Sequence, residues 1–355
     1  MKDKILMTGN EAMAEAAIQA GCRFYAGYPI TPQNEIPAYF SRRMPEVKGI
    51  FIQAESEIAA INMVFGAATT GARAMTTSSS PGISLKQEGI SYLAGCQLPA
   101  VIVNVMRAGP GLGDIKPAQS DYFQAVKGGG HGDYHLIVLA PSTVQESFDL
   151  TMLAFDLADK YRNPAMILAD GMLGQMMEPL NTDYTDKKKQ ITQIKKSWAL
   201  TGAKNRAPNI IRSLFLGEGK VEALNKELQE KYKKIEAQEQ RFEVMHLEDS
   251  SIILVAYGTM ARLCKQIVRD LRLKGKKIGL VRPISLWPFP KKVFTKLLTL
   301  NSKLRTILVV EMSYGQMVED VRLAVNGKYP VHFFGRAGGG IPTEEEILKQ
   351  IGRLR

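Results

Sequence analysis

The sequence predicts an α/β protein of two units, each built on a mostly parallel sheet with helices on both faces. Short apolar runs alternate with helix-patterned stretches over the first 180 residues, and the same alternation returns from Ser251 to the C-terminus. Such alternation is typical of βαβ units, whose crossover helices cover a parallel sheet. A length of 355 residues also suits two domains, each long enough to bury a core.

The first unit is predicted from residue 1 to residue 180. Its first helix is expected to follow the N-terminal residues directly, because Thr8 and Glu11 form a capping-box pattern and Gly21 is a typical stop signal. The longest amphipathic pattern predicts a helix over Thr143–Tyr161. The strands are predicted at Cys22–Ala26, Gly49–Gln53, Ala74–Thr77, Ala100–Met106, Leu136–Leu139 and Ala165–Ala169.

Residues 181–250 are predicted to form a charged connecting segment, because Lys, Glu and Gln dominate there. We expect an exposed, charge-laced helix over Asn225–Arg241 and an extended connection that crosses the protein or packs on a partner. The lysines Lys187–Lys189, Lys195 and Lys196 are interpreted as a solvated face of this linker.

The second unit is predicted from residue 251 to residue 355 as a compact α/β domain with four strands. The strands are predicted at Ile252–Ala256, Ile278–Pro283, Thr306–Glu311 and Val331–Phe334. The helices are predicted at Thr259–Leu273, Pro290–Leu300, Gly315–Val325 and Thr343–Leu354.

Composition excludes several classes of protein. No apolar run reaches the roughly 20 residues of a transmembrane helix, and the N-terminus lacks the apolar core of a signal peptide, so we expect a cytoplasmic protein. Cys22, Cys96 and Cys264 are too dispersed for an iron–sulfur or zinc motif, and we expect them to be buried. The net charge of +11 suits anionic ligands or acidic proteins, but no nucleic-acid-binding pattern accompanies it.

A loop with two prolines, Gly27–Pro32, directly follows the first predicted strand. Pro29 and Pro32 fix φ on either side of Thr31, so the hydroxyl should lie in a stiff loop at a strand's carboxyl end. Ligands bind at that edge of open α/β sheets. Taken alone, the two prolines equally indicate a rigid turn with no further role.

Two more polar groups follow predicted strands in the same way. Glu55 and Glu57 lie in Gln53–Ala60, where Glu57 is also explained by the preference of acidic residues for a helix's first turn. Arg107 leaves the apolar strand Ala100–Met106 and precedes a Gly-rich stretch that ends at Asp114. A guanidinium binds a carboxylate through two parallel hydrogen bonds, although an arginine here could also simply cap the strand.

Three motifs in this order resemble the α subunit of the 2-oxoacid:ferredoxin oxidoreductases, most closely the VorB and KorA type. They are Tyr-Pro-Ile-Thr-Pro, Glu-Ile-Ala-Ala and Arg-Ala-Gly-Pro-Gly. The resemblance implies a thiamine diphosphate-binding fold of the pyrimidine type, followed by a transketolase-C-terminal-like domain. It also implies oxidative decarboxylation of a 2-oxoacid, either branched-chain (2-oxoisovalerate, also called 2-ketoisovalerate) or 2-oxoglutarate, to acyl-CoA and CO₂ with reduction of ferredoxin.

The resemblance also implies roles for individual residues. Glu57 would be the catalytic carboxyl that hydrogen-bonds the cofactor's aminopyrimidine, with Glu55 as the competitor, and it would work best in a dry pocket. Thr31 and Arg107 would meet the substrate carboxylate, with Asp114 orienting Arg107. Further cofactor contacts are expected from Tyr28, Pro29, Ile30 and Ser79, and His131 is a candidate on the substrate side.

The sequence contains no Gly-Asp-Gly…Asn-Asn segment of the kind that holds the diphosphate through Mg²⁺. The family relationship therefore implies that thiamine diphosphate is shared with a β subunit, and that Mg²⁺ and the iron–sulfur clusters lie on partner chains, with no metal on this one. Coenzyme A would be a co-substrate, and the partners would be β, γ and ferredoxin-like δ subunits, ferredoxin and possibly a second copy of this chain through its thiamine domain. The alternatives are a non-redox thiamine-dependent decarboxylase or transketolase-like half subunit, and a non-catalytic scaffold.

Overall fold

The computed structural model describes residues 4–182, 196–300 and 302–354. Of the predicted lysine-rich face, Lys187–Lys189 and Lys195 lie outside the described residues. Lys196 is described, and it is not solvated: its side chain is 13% exposed, and its ammonium lies 2.6 Å from the Asp159 carboxylate. Asp159 also accepts a hydrogen bond from Arg73, so the residues after the gap are anchored to the first unit.

The first unit is built around a parallel sheet. Within residues 4–182 the elements are β1 (Ile5–Thr8), α1 (Gly9–Gln19), β2 (Phe24–Gly27), α2 (Glu35–Arg43), a 3₁₀ helix (Pro45–Val47), β3 (Ile50–Gln53), α3 (Glu57–Thr69), β4 (Ala74–Ser78), α4 (Ser80–Gly95), β5 (Val101–Ala108), β6 (Asp114–Pro117), α5 (Tyr122–Val126), β7 (Ile137–Leu139), α6 (Val144–Tyr161), β8 (Ala165–Asp170), α7 (Gly171–Gln175) and β9 (Met177–Leu180). The parallel strands follow the order β7-β8-β5-β4-β2-β3, and β6 pairs antiparallel with β5.

Local signals explain where several of these elements begin and end. Thr8 accepts a hydrogen bond from the Glu11 amide, and the Glu11 carboxylate accepts one from the Thr8 amide, so the predicted capping box of α1 is confirmed. Gly21 takes a positive φ of 81° just beyond the helix, a conformation that glycine adopts at little cost. Every residue of β5 is buried, as expected for a central strand covered on both faces.

The second unit is a smaller sheet. The elements from residue 196 onward are α8 (Lys220–Gln238), β10 (Phe242–Met245), β11 (Ile252–Val255), α9 (Gly258–Leu273), β12 (Ile278–Pro283), β13 (Ser285–Trp287), α10 (Lys291–Leu300), β14 (Thr306–Glu311), α11 (Met317–Val325), β15 (Val331–Gly335) and α12 (Glu344–Arg353). Five strands follow the order β10-β12-β11-β14-β15, and all neighbours are parallel except β10 with β12.

Three features differ from the sequence predictions. The N-terminus does not run straight into a helix, because β1 comes first and pairs antiparallel with β9. The second sheet has five strands instead of four, because β10, from the connecting segment, joins its edge. Helix α8 is not wholly exposed: Leu228, Tyr232 and Ile235 are buried at helical spacing, and Tyr232 packs on Trp287 within the same chain.

The two units exchange both strand and side-chain contacts. Strand β13 follows β12 of the second sheet but pairs antiparallel with β7 of the first. The Arg282 guanidinium is fully buried and bonds both Glu146, on helix α6 of the first unit, and Glu243, on strand β10 of the second sheet. The predicted division into units at residues 180 and 250 stays a prediction. The strand pairing and the Arg282 ion pairs show that the two units are in direct contact.

The cysteine prediction is confirmed, since Cys22, Cys96 and Cys264 are all buried and free. Among the described residues, no helix is both long enough and apolar enough to cross a membrane.

Candidate active site

Glu57 is the first residue of α3, and its side chain is buried with 6% exposure. Ser56 caps the helix by accepting a hydrogen bond from the Ala59 amide at 3.1 Å. The carboxyl lies against Gly82 in the first turn of α4. A Cβ atom there would stand 2.5 Å from Glu57 Oε1 and 2.1 Å from Ser78 Oγ, so only glycine permits this approach.

The Thr31 loop is held from beneath by a chain of buried hydrogen bonds. Tyr25 bonds the Thr77 hydroxyl at 2.7 Å, and Thr77 donates to the Gln33 side-chain oxygen at 2.5 Å. Gln33 in turn donates to the carbonyl of Tyr28 at 3.3 Å. Because these partners come from β2 and β4, the loop's position is fixed by the sheet.

The loop residues differ in exposure. Tyr28 is 39% exposed, Pro29 is exposed, and Ile30 and Thr31 are half-buried. The Thr31 hydroxyl accepts one bond, from Asn34 at 3.3 Å. The upper surface of the loop is therefore open to a ligand or a partner.

The Arg107 side chain is 6% exposed and points to the Thr31 loop. Nη1 donates to the Thr31 carbonyl at 3.1 Å and Nη2 to the Leu112 carbonyl at 3.0 Å. Nε is buried without a hydrogen-bond partner. The expectation that Asp114 orients Arg107 is wrong, because Asp114 contacts Lys116 and backbone carbonyls hold the guanidinium.

The start of α4 connects Glu57 with Arg107. The Ser80 hydroxyl bonds the Arg107 backbone and the Asp121 carboxylate, while Gly82, two residues on, contacts Glu57. Burial raises the pKa of Asp121, opposed by hydrogen bonds from Ser80 and Asn104. Ser80 has a positive φ of 21°, an unusual conformation for a non-glycine residue.

The predicted residues thus divide into two groups. The structure joins Arg107 to Thr31 by a hydrogen bond, and the first residues of α4, beside Ser79, contact both Glu57 and the Arg107 backbone. Tyr28, Pro29 and Ile30 lie on the same loop as Thr31. Two candidates lie elsewhere: Glu55 is exposed, and His131 packs on Tyr92. Tyr92 is ten residues along α4 from Gly82, which corresponds to about 15 Å of helix, so His131 is remote from Glu57.

Several residues of the site were not predicted from the sequence. They include Gln33, Asn104 and Lys86. Asn104 is the one polar side chain within the apolar strand Val101–Met106, and this break in the pattern was a readable signal. Nothing local distinguishes Lys86, whose role depends on the helix that packs against it.

The buried polar atoms at this edge suit the pyrimidine half of thiamine diphosphate. Ser78 Oγ, Ser79 Oγ and Arg107 Nε are buried and lack partners, and the Glu57 carboxyl lies beside Ser78. A ring with nitrogen donors and acceptors would satisfy such groups, which are costly to leave unpaired. Among the described residues, no cluster of three or more His, Cys, Asp or Glu could hold a metal ion.

Comparison with known proteins assigns the chain to a family. Residues 15–246 match the thiamine diphosphate-binding domain of pyruvate flavodoxin/ferredoxin oxidoreductases. Residues 250–347 match core domain II of pyruvate:ferredoxin oxidoreductase. The ketoisovalerate oxidoreductase subunit VorB of Methanothermobacter marburgensis is 51% identical over 349 residues, which cover 98% of this chain and 97% of that subunit. The chain belongs to the 2-oxoacid:ferredoxin oxidoreductase family.

Other members of the family are more distant. The 2-oxoglutarate synthase subunit KorA of Methanocaldococcus jannaschii is 35% identical, and the match covers 97% of this chain and 98% of that subunit. Among solved structures, the 2-oxoglutarate:ferredoxin oxidoreductase of Magnetococcus marinus, with 2-oxoglutarate, coenzyme A and succinyl-CoA bound, superposes with a TM-score of 0.87 at 26% identity. This chain is covered to 99% and spans 65% of that chain.

A split-gene transketolase has a TM-score of 0.60 and 11% identity, over 98% of this chain and 96% of that chain, and is similar in fold alone. The predicted family and the predicted thiamine diphosphate-binding fold are both confirmed.

Proposed function

We propose that this chain is the α subunit of a thiamine-dependent 2-oxoacid:ferredoxin oxidoreductase. The complex would convert a 2-oxoacid, coenzyme A and two equivalents of oxidised ferredoxin into acyl-CoA, CO₂, two equivalents of reduced ferredoxin and a proton. The observation that carries the proposal is that the first turn of α4 contacts both Glu57 and the Arg107 backbone, while the Arg107 side chain bonds the Thr31 loop.

Glu57 is assigned to the aminopyrimidine. Its carboxyl is buried, lies beside an unpartnered serine hydroxyl and can share a proton with a ring nitrogen. When bound, the cofactor supplies the nucleophilic carbon and the electron sink for decarboxylation. The protein's part is to position the ring and hold one proton at the Glu57 carboxyl. Tyr28, Pro29, Ile30 and Ser79 are proposed as the further contacts of this half-site.

Arg107 and Thr31 are assigned to the substrate carboxylate. The guanidinium uses one hydrogen bond each from Nη1 and Nη2 for backbone carbonyls, and Nε has no partner. Donors therefore remain for an anion, and the Thr31 hydroxyl can add another. A carboxylate held there would have a fixed orientation for its loss as CO₂.

Among substrates, the site favours a branched-chain 2-oxoacid such as 2-oxoisovalerate. Three uncharged side chains, Tyr28, Ile30 and Leu112, belong to the two loops that meet at the Thr31–Arg107 pair. A branched aliphatic chain suits such surroundings, whereas 2-oxoglutarate needs a second cation for its second carboxylate. The 51% identity to a ketoisovalerate oxidoreductase subunit, against 35% to a 2-oxoglutarate synthase subunit, supports the same choice.

The chain is proposed to hold only part of the catalytic apparatus. The sequence lacks the diphosphate segment, so a β subunit would hold the diphosphate and Mg²⁺. Iron–sulfur clusters would lie on partner subunits, among them a ferredoxin-like δ chain beside a γ chain. Because the relatives are named as subunits, assembly with other chains is expected.

Reconstitution tests the proposal. The complex purified with its co-expressed neighbours should reduce ferredoxin only when 2-oxoisovalerate, coenzyme A and thiamine diphosphate are all present, and 2-oxoglutarate should be a poorer substrate. Release of CO₂ and aldehyde without ferredoxin reduction would instead support the non-redox decarboxylase, and a complex that stays active without this chain would support a scaffold. Calorimetry on the isolated chain should show weak thiamine diphosphate binding, and tight Mg²⁺-dependent binding would contradict the half-site.

A further inference from the structure

Lys86 is a fully buried lysine in the middle of α4, close to Glu57. Its ammonium donates to the Thr76 hydroxyl at 2.9 Å and to the backbone carbonyl of Glu57 at 3.4 Å. Neither acceptor carries a charge. A buried lysine without a carboxylate in direct contact is costly, because the charge loses its hydration.

The packing of α3 on α4 explains why this lysine lies beneath Glu57. Gly82 contacts the Glu57 carboxyl, and Gly89 contacts Ile61, where a Cβ atom would stand 2.6 Å from the nearest Ile61 carbon. These two glycines are seven residues apart on one face of α4, and they let the helices approach closely. Lys86 lies between them on that face, four residues from Gly82.

The electrostatic surroundings of Lys86 are simple. Burial lowers the pKa of Lys86 to about 7, and the negative charge of Glu57 partly opposes this. Of the neighbouring elements, α3 contributes Glu57 and β4 contributes the uncharged Thr76. Strand β5 meets α4 at Ser80, through Asn104 and the backbone of Arg107. On α4 itself the nearest acid, Glu88, is exposed and accepts from Tyr92.

We propose that Lys86 is a positioning residue for Glu57, which holds the backbone of residue 57 in place and sets a positive charge beside its carboxylate. The inference rests on the proposed role of Glu57 at the aminopyrimidine. The positive charge of Lys86 favours the ionised form of the Glu57 carboxyl. A hydrogen bond to the cofactor's ring nitrogen instead favours a form in which the carboxyl shares its proton with the ring. Lys86 thereby sets how readily the carboxyl gives its proton up.

Lys86→Met tests the charge, because methionine has a similar length and no charge. Without the ammonium the protonated form of Glu57 is favoured, so the limb of the pH profile of kcat/KM that disappears in Glu57→Gln should move to higher pH by about one unit. Lys86→Gln, which can still donate to Thr76, should give the same shift if charge is the cause. A loss of packing alone would lower activity without moving the limb.

A second measurement needs no cofactor and uses the full chain. Because the folded-state pKa of Lys86 lies below its ordinary value of 10.5, unfolding takes up a proton between pH 10.5 and about 7. The stability of the wild type should therefore fall relative to Lys86→Met as pH drops through this range, and the difference in Tm should be constant below it. In a Glu57→Gln background the plateau, which is the pH range where the difference in Tm is constant, should begin at a lower pH. The reason is that the negative charge that stabilises the Lys86 ammonium is gone.

Lys231→Met is the matched control. Burial also lowers the pKa of Lys231 to about 7, but this lysine lies on α8 and bonds Gln97 and the Arg162 carbonyl. The Lys231→Met variant should show the same dependence of stability on pH, and Glu57→Gln should not alter that dependence. It should also leave the limb that Glu57 controls unmoved. The proposal is overturned if the Lys86 variants leave the limb in place, or if Glu57→Gln does not move the plateau. Absence of 2-oxoacid turnover would instead refute the proposed function, and the plateau measurement would still report the coupling.

Discussion

The two sheets of this chain differ in how the polar groups at the carboxyl ends of their parallel strands are hydrogen-bonded. At the end of the first sheet, Ser78 Oγ, Ser79 Oγ and Arg107 Nε are buried without partners, beside the Glu57 carboxyl. At the end of the second sheet most polar groups are bonded within the chain, although Arg282 Nε is buried without a partner. The Glu311 carboxylate there accepts from the amides of residues 316, 317 and 318 at the start of α11.

Other polar groups at this edge of the second sheet are hydrogen-bonded to residues of the first unit. Gln119 of the first unit bonds the carbonyl of Tyr257 and both backbone groups of Met312. Asp170 accepts from the hydroxyl and the amide of Thr259. The same architecture thus leaves several buried polar groups unpaired beside Glu57 at one edge, and uses most of them in assembly at the other.

The largest effect is expected from Glu57→Gln. Glutamine keeps the shape of the side chain but cannot share its proton with the cofactor ring, so turnover of the assembled complex should fall by roughly 100-fold or more. Assembly, followed by gel filtration, should be unchanged. Glu55→Gln is the matched control, because Glu55 is exposed two residues away. If Glu55→Gln is the variant that loses turnover, the assignment moves to Glu55.

Arg107→Lys should come next. An ammonium cannot reproduce the paired hydrogen bonds of a guanidinium, and losing one bond to a charged group costs about 1.5–3 kcal/mol. KM for the 2-oxoacid should therefore rise roughly ten- to a hundredfold, while thiamine diphosphate affinity measured on the complex stays the same. Arg42→Lys, at a side chain that is 64% exposed, controls for the substitution itself. A loss of cofactor affinity with unchanged KM would place Arg107 at the cofactor instead.

At the closed edge, Glu311→Gln should affect stability alone. The substitution removes the charge from hydrogen bonds that cap α11 and replaces one acceptor by a donor, which should cost about 2 kcal/mol and lower Tm by several degrees. Turnover per folded complex should not change. Glu319→Gln is the control, since Glu319 is exposed in the same first turn and should matter less. Lost turnover at unchanged Tm would contradict the contrast between the edges.

The smallest effect is expected from Ser79→Ala. The Ser79 hydroxyl is buried without a partner in the chain, so its removal should leave Tm unchanged or slightly raised. In the complex the same change should weaken thiamine diphosphate binding by a few-fold. Ser80→Ala should instead lower Tm, because the Ser80 hydroxyl bonds Arg107 and Asp121. Its loss should cost about 1–3 kcal/mol of stability. A destabilised Ser79→Ala chain would show that the hydroxyl has a structural role.

Much of the fold could be predicted because its signals are local. The capping box at Thr8, the apolar run of β5 and the proline-bracketed Thr31 loop each mark an element or a turn within a few residues. For the candidate site, Glu57, Thr31 and Arg107 were chosen because three separate motifs in order resemble a family, and their roles stay predictions. The structure places Thr31 and Arg107 in direct contact.

What could not be predicted depends on distant partners. The short strands β10 and β13 have no strong pattern of their own, and each is defined by the strand it pairs with across the chain. The charge-rich α8 was expected to be exposed because its buried stripe is narrow. Lys86 would be assigned to the surface by composition alone, and only the close approach of α3 shows that it is buried.

The pairing of β13 with β7 also bears on how the chain is made. On the ribosome, β7 is synthesised long before Trp287, so β7 stays unpaired on one side until the first part of the second unit has been made. Unpaired edges promote pairing with other chains, and long-range strand pairing is slow. A gene split near residue 250 would therefore not yield two self-sufficient modules. We expect the N-terminal fragment to aggregate, or to recover only when the C-terminal fragment is co-expressed and supplies the missing strand.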